Sequence, residues 1–187
     1  MSWLEILILG FGLSMDAMAV SVAAGMNARP EEKRALAWRL GAAFGFFQAL
    51  MPLLGWLAGV GLRDFITNVD HWIAFALLSL VGGKMLHEAF RREEGEKPSL
   101  HPGENKGLLL LAVATSIDAL AVGLGLAFLD VPIVFPALLI GCITFTLSWG
   151  ATLVGHRCGR HLGNRVELAG GVILILIGIK ILVEHLS

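Results

Sequence analysis

Six apolar stretches, each about long enough to cross a lipid bilayer, account for most of this 187-residue chain. They cover residues 3–25, 40–62, 72–90, 107–129, 131–155 and 166–186. A spanning helix needs about 20 apolar residues, so six of them leave no room for a separate soluble domain. Only 16% of the residues are charged, whereas soluble domains have about 25%. The pattern predicts an all-α integral membrane protein with six transmembrane helices.

A seven-residue phrase occurs twice, at corresponding places in the first and fourth stretches. The sequence SMDAMAV at 14–20 recurs as SIDALAV at 116–122. The third and sixth stretches also share the pattern Gly-x-Lys-x-Leu-x-Glu, and the second and fifth share two glycines at a constant offset. We therefore predict two three-helix repeats, at 1–90 and 107–187, joined by a polar linker at 91–106. Three helices are an odd number, so the two repeats are inverted, an arrangement typical of secondary transporters.

Lys and Arg residues are concentrated in the segments between alternate pairs of stretches. Eleven of the 14 lie there: Arg29, Lys33, Arg34 and Arg39; Arg91, Arg92, Lys97 and Lys106; Arg157, Arg160 and Arg165. Basic loops face the cytoplasm in multi-pass proteins. The distribution predicts that these three segments, including the 91–106 linker, are cytoplasmic and that both termini are on the opposite, periplasmic side.

Asp16 and Asp118 lie near the middle of their apolar stretches, where a carboxylate costs about 2.5–3.5 kcal/mol or more. Small residues recur every four positions around each of them, a spacing that lets helices approach closely. If the two carboxylates converge, they repel each other unless a cation lies between them, and protons then compete with the metal for the same oxygens. The pair predicts a midplane metal site. The alternative is that each aspartate only hydrogen-bonds a neighbouring helix.

The other polar groups within the stretches are oxygen donors that can act as secondary ligands or line a pathway. They are Ser14, Ser116, Gln48, Thr144, Thr146 and Ser148. Oxygen-rich sites suit magnesium, calcium and manganese better than zinc or copper. Interhelical hydrogen bonding is an equally good interpretation of the two serines.

Two Lys–Glu pairs, each with a spacing of four residues, lie in the third and sixth stretches. They are Lys84 with Glu88, and Lys180 with Glu184. Such pairs share one helix face and form salt bridges near the interface, with the lysine extending towards water. The other interpretation is a gate at each mouth of a transport pathway, to which Glu88 would also contribute a carboxylate.

Three segments together resemble a known family, namely SMDA at 14–17, MPLLGW at 51–56 and SIDALAVGLGLAF at 116–128. The resemblance is to the MntP family of manganese efflux pumps, which is related to the LysE exporter superfamily. It implies a six-span protein of the bacterial inner membrane that exports Mn²⁺, with Asp16 and Asp118 as matching residues and Glu88 as a polar residue of the third span. Gln48 is a departure, because some relatives have an acidic residue there.

From these observations we expect Mn²⁺ efflux through a site formed by Asp16 and Asp118, driven by proton antiport because no nucleotide-binding motif is present. The expected partners are Mn²⁺ as cargo, protons and the lipid bilayer, with no nucleic acid and no resident cofactor. The alternatives are export of another divalent cation or of a small amino acid, and a sensor or scaffold. An intramembrane enzyme is not expected, because the spans lack the residue constellations of such enzymes.

Overall fold

The computed structural model describes the backbone of residues 3–62, 76, 79–80, 83 and 105–186, with most side chains up to residue 155 and a few beyond it. The described part consists of helices, and no strand occurs in it. The helices are α1 (Trp3–Leu13), α2 (Met15–Asn27), α3 (Lys33–Leu62), α4 (Asn105–Thr115), α5 (Ile117–Phe128) and α6 (Val134–Leu186). The predicted all-α class is therefore confirmed.

Three helices are long and apolar enough to cross a membrane, and a bent pair makes a fourth candidate among the residues described. The three are Lys33–Gly61, Val134–Gly155 and Gly107–Phe128, and the last of these contains α4 and α5 on either side of Ser116 without a sharp bend. The bent pair is α1 with α2. They correspond to the predicted second, fifth, fourth and first stretches. The third stretch lies mostly outside the described residues, and so does the 91–106 linker.

Large apolar side chains cover the outer surface of this bundle. Phe46, Leu57 and Leu138 are each about 60% exposed (61%, 62% and 60%). Contiguous exposure of this kind is rare on a soluble monomer, because it leaves too much apolar surface in water. Lipid is the environment that satisfies it, so the chain is a multi-pass membrane protein.

Helices α1 and α2 run alongside the first half of α6 in the same direction. A Cβ atom built on Gly10 would lie 3.5 Å from a side-chain carbon of Ile140, and one built on Gly25 would overlap the main chain of Thr152. Residue numbers therefore increase together along both helices. The glycines permit backbone contact at these points, as small residues do in other membrane bundles.

Helix α3 crosses α6 in the opposite direction but runs parallel to α5. At the first crossing, a Cβ atom on Gly45 would lie 3.0 Å from the carbonyl oxygen of Gly141. At the second, a Cβ atom on Gly55 would overlap the carbonyl oxygen of Leu120, and one on Gly59 would lie 3.0 Å from that of Leu124. Consequently α1–α2 and α6 point one way, while α3 and α5 point the other.

Helix α6 differs from the prediction, because it continues without a break from Val134 to Leu186. The segment around Arg157, Arg160 and Arg165, predicted as a loop between the fifth and sixth spans, is helical. The segment contains no proline, and Arg, Leu and His are compatible with a helix. A helix of 53 residues is about 80 Å long, far more than the hydrocarbon thickness of about 30 Å.

The second span also begins earlier than predicted, at Lys33 instead of residue 40. Lys33, Arg34 and Arg39 therefore belong to the first turns of α3, and the connection from α2 is short. Charged residues mark where a span leaves the apolar layer, but the helix itself extends beyond that layer.

Candidate metal site

Each of the two predicted site aspartates follows a break in a membrane helix. Ser14 separates α1 from α2, and Ser116 separates α4 from α5. Asp16 and Asp118 come two residues after these serines, in the first turn of the following half-helix. Each copy of the repeated phrase in the sequence therefore begins at a break between two helices. Broken helices of this type line substrate sites in secondary transporters.

Both carboxylates are buried at the amino end of a half-helix. Asp16 is 8% exposed and Asp118 is 5% exposed. The amino end of a helix carries a partial positive charge from its unpaired N–H groups, which favours an ionised carboxylate there. The break thus gives each aspartate an electrostatic environment that an unbroken transmembrane helix lacks.

Gln48 on α3 stabilises the first break. Its Nε2 donates a 2.7 Å hydrogen bond to the carbonyl oxygen of Leu13, the last residue of α1. Its Oε1 atom is buried and makes no hydrogen bond to any group that the structure describes. The main-chain carbonyl of Gln48 also lacks the usual amide donor four residues later, because that residue is Pro52. Gln48 therefore presents two oxygens with spare acceptor capacity inside the bundle.

Ser14 and Thr144 link the first break to α6. Their hydroxyl oxygens are 2.7 Å apart, and each also lies within hydrogen-bond distance of a carbonyl four residues earlier on its own helix. Those carbonyls belong to Gly10, at 2.6 Å, and Ile140, at 2.9 Å. Each hydroxyl has one proton and two lone pairs, so both oxygens retain acceptor capacity whichever of the three contacts the two protons occupy.

The second break is supported from within its own helix. Ser116 Oγ donates to the carbonyl of Ala112 at 2.7 Å, and Thr115 Oγ1 lies 3.0 Å from the carbonyl of Leu111. The contacts between α3 and α5 place Asp118 level with the turn of α3 that contains Pro52 and Gln48. Gln48 therefore lies one helical turn or less from the level of both aspartate half-helices.

The structure brings only some of the predicted site residues together. It brings Ser14, Gln48 and Thr144 together at the first break. Ser148 is fully buried one turn after Thr144 on α6, whereas Thr146 faces outwards and bonds to carbonyls of its own helix. Lys84 and Glu88 lie outside the described residues, as do the side chains of Lys180 and Glu184, so the two proposed gate pairs stay predictions.

No group of three or more His, Cys, Asp or Glu residues that could hold a metal occurs in the described part of the chain. The polar groups buried around the two breaks are the carboxylates of Asp16 and Asp118 and neutral oxygens, among them those of Ser14, Gln48 and Thr144. This donor set is hard and oxygen-only, as magnesium, calcium and manganese prefer.

Sequence reasoning missed two participants. The carbonyl of Leu13 is a hydrogen-bond acceptor because of the break, which hydropathy does not reveal. In the sequence, Ser21 is one of the small residues spaced four apart on this helix, with Ala17 and Gly25. Its hydroxyl is buried and has no partner among the described groups. Alanine at position 21 would permit the same close packing. The presence of serine there is the signal in the sequence that could have identified this hydroxyl.

Comparison with known proteins gives one consistent result. A family model described as "Putative manganese efflux pump" matches residues 31–182. A protein of that name, with the suffix MntP, from Methanosarcina barkeri is 50% identical, over 100% of this chain and 98% of its own length. The protein of the same name from Syntrophotalea carbinolica is 50% identical, over 95% of this chain and 94% of its own length. That from Crocosphaera subtropica is 47% identical, over 100% of this chain and 98% of its own length. No solved structure matches the chain.

Proposed function

This chain belongs to the MntP family of manganese efflux pumps, and we propose that it exports Mn²⁺ from the cytoplasm through a midplane site formed by Asp16 and Asp118. The observation that carries the proposal is that both aspartates are buried at the same position of two broken helices. The family is named for efflux transport and not for an enzymatic reaction. This agrees with the expectation from the sequence that the chain is not an intramembrane enzyme.

The opposite directions of the two aspartate half-helices support the proposed inverted repeats. Helix α5 runs with α3 and against α6, whereas α2 runs with α6. The contacts also correspond between the halves: a Cβ atom on Gly59 would meet Leu124 and Ala127, and one on Gly155 would meet Val22 and Gly25. Val22 and Gly25 follow the first repeated phrase at the same distances along the chain as Leu124 and Ala127 follow the second.

The same directions support a third span in the first half. Helices α3 and α4–α5 run the same way, so the chain has to return across the bundle between them, as the stretch at 72–90 predicts. In the second half we retain the sixth span at 166–186 as part of the proposal. The cytoplasmic location of the basic segments and the periplasmic location of both termini follow from the positive-inside rule.

Neutral oxygens around the aspartates would complete the coordination of Mn²⁺. The Oε1 and main-chain carbonyl of Gln48, and the hydroxyl oxygens of Ser14 and Thr144, are buried groups with unused acceptor capacity. Gln48 replaces the acidic residue of some relatives with a neutral oxygen donor. The site in this chain would therefore carry two negative charges, which balance one Mn²⁺.

Proton antiport is the coupling we propose. A carboxylate binds either the cation or a proton, so the same two groups can carry Mn²⁺ outwards and protons inwards. In the proton-loaded state, both aspartates are neutral, which reduces the cost of burying two carboxylates side by side without a cation.

The experiment is ⁵⁴Mn²⁺ transport into everted membrane vesicles containing the full-length protein. We expect uptake that requires an imposed pH gradient and is abolished by Asp16→Asn and by Asp118→Asn. Asp130→Asn is the matched control, because it makes the same chemical change at an exposed turn. Uptake that continues when the gradient is collapsed would overturn the coupling, and full activity of either site variant would overturn the site.

A further inference from the structure

Three buried hydroxyl groups are without a hydrogen-bond partner among the described residues, those of Ser21, Ser79 and Ser148. Ser21 on α2 and Ser148 on α6 belong to two helices that pack against each other. Both side chains are fully buried. An unsatisfied buried polar group costs about 1–3 kcal/mol. A serine in a helix can avoid this cost by donating to the carbonyl four residues earlier, as Ser14, Ser116 and Thr152 do here. The hydroxyls of Ser21 and Ser148 make no such hydrogen bond.

The register of the two helices makes these hydroxyls face each other. Ser14 bonds to Thr144, and further along the same two helices the backbone of Gly25 touches that of Thr152. Ser21 and Ser148 lie between these contacts, each four residues before the second one and so on the same helix face as it. They nevertheless do not hydrogen-bond to each other. Each hydroxyl therefore keeps its donor and acceptor capacity for a group other than the described protein atoms.

The equivalent place in the other half of the chain is closed. The repeat relates Ser21 to Gly123 and Ser148 to Pro52, and a Cβ atom on Gly123 would overlap the carbonyl oxygen of Pro52. No hydroxyl is present on either residue. The polar pair is therefore a feature of one side only, between Asp16 and the end of α2 that leads to Arg29 and Lys33.

We propose that Ser21 and Ser148 form a second coordination position for the transported divalent cation, between Asp16 and the basic end of α2. This inference rests on the proposed function and adds a step to it. Two neutral hydroxyl oxygens replace part of the water shell of a hard cation without holding it tightly. The cation thus binds weakly at a position on the cytoplasmic side of the aspartates. On the other side, the equivalent contact between Gly123 and Pro52 provides no such position.

Transport kinetics test the proposal. We compare Ser21→Ala, Ser148→Ala and the double variant with Thr146→Val, which removes an outward-facing hydroxyl that bonds to its own helix. We expect the rate of ⁵⁴Mn²⁺ transport to fall roughly fivefold in each single variant, which corresponds to the loss of one interaction of about 1 kcal/mol. Equilibrium Mn²⁺ binding at the aspartates should change less than twofold. Wild-type rates in the double variant would overturn the proposal.

A binding measurement separates this inference from the proposed function. In a chain with Cys142→Ala and Cys158→Ala, the pair Ser21→Cys and Ser148→Cys should create a site for Cd²⁺, which prefers thiolates. We expect the double cysteine variant to bind one more Cd²⁺ per chain than either single variant. If the extra ion binds but wild-type protein transports no Mn²⁺, the proposed function fails while the site stands. If no extra ion binds, the two side chains do not converge and the inference is wrong.

Discussion

The Nε2 of Gln48 donates a 2.7 Å hydrogen bond to the carbonyl oxygen of Leu13, which ties α3 to the point where α1 ends and the first aspartate half-helix begins. Water cannot replace this bond at membrane depth, so the side chain has to satisfy the carbonyl that the break exposes. One residue thus supports the backbone next to Asp16 through its amide nitrogen and offers its amide oxygen to the site.

Replacing Gln48 by Leu should destabilise the protein by about 1–3 kcal/mol, because the carbonyl of Leu13 is left buried without a donor. Thermal unfolding in detergent, compared with Thr146→Val, measures this. Gln48→Glu is the second variant: an ionised glutamate cannot donate the bond but adds a charge to the site, so it should lower stability while strengthening Mn²⁺ binding. An unchanged melting temperature in Gln48→Leu would show that the bond does not support the break.

The glycine contacts between α3 and α5 predict a sharp difference between alanine substitutions. Gly55→Ala and Gly123→Ala would each place a methyl group onto a main-chain carbonyl of the facing helix, of Leu120 and Pro52 respectively. Backbone atoms cannot move aside cheaply, so we expect a loss of several kcal/mol or failure to fold.

Gly150→Ala is the matched control for these two substitutions, because nothing lies within 4 Å of the position its Cβ would take. Alanine favours a helix over glycine by about 1 kcal/mol, so this variant should be neutral or more stable. Expression level and melting temperature in detergent report both effects. Equal behaviour of Gly123→Ala and Gly150→Ala would contradict the close approach of α3 and α5.

The sequence predicts features that depend on hydropathy and repetition, but not features that depend on how separate helices pack together. The spans and the two aspartates follow from hydropathy and repetition, because lipid forces long apolar helices and makes any buried charge conspicuous. The hydrogen bond from Gln48 to Leu13 could not be predicted, because it depends on which residues of two separate helices come level with each other.

The continuity of α6 was missed for a related reason. Basic residues such as Arg157 and Arg160 interrupt the apolar sequence, but they do not interrupt the helix. Breaks occur at Ser14 and Ser116 instead, within apolar sequence, where nothing in the composition marks them. Polarity therefore predicted the apolar spans better than the course of the backbone.

Mn²⁺ binding should weaken as the pH falls. In the proposed site the cation needs ionised Asp16 and Asp118, so any proton bound to them has to leave when the metal enters. In the acidic range where they are protonated, the dissociation constant should rise by about tenfold per pH unit for each proton displaced. Calorimetric titration in buffers of different ionisation enthalpy counts the protons released. Asp118→Asn should release one fewer proton than wild type, and an equal count would contradict competition at this residue.

The end of α5 offers a test of the backbone alone. Asp130 has a φ angle of 58°, in the left-handed region. Its N–H donates to the carbonyl of Ala127 at 3.3 Å, and that of Val131 donates to Leu126 at 3.2 Å. These two bonds define a Schellman motif, whose left-handed position is usually glycine.

Asp130→Gly should therefore stabilise the protein by several tenths of a kcal/mol to about 1 kcal/mol, because glycine adopts this conformation without strain. Asp130→Val should destabilise it, since a β-branched side chain is the least tolerant of a positive φ angle. Melting temperatures of the two variants give the comparison, and Mn²⁺ transport should stay at the wild-type level in Asp130→Gly because the turn lies outside the site. Greater stability of the valine variant would mean that α5 does not end in this motif.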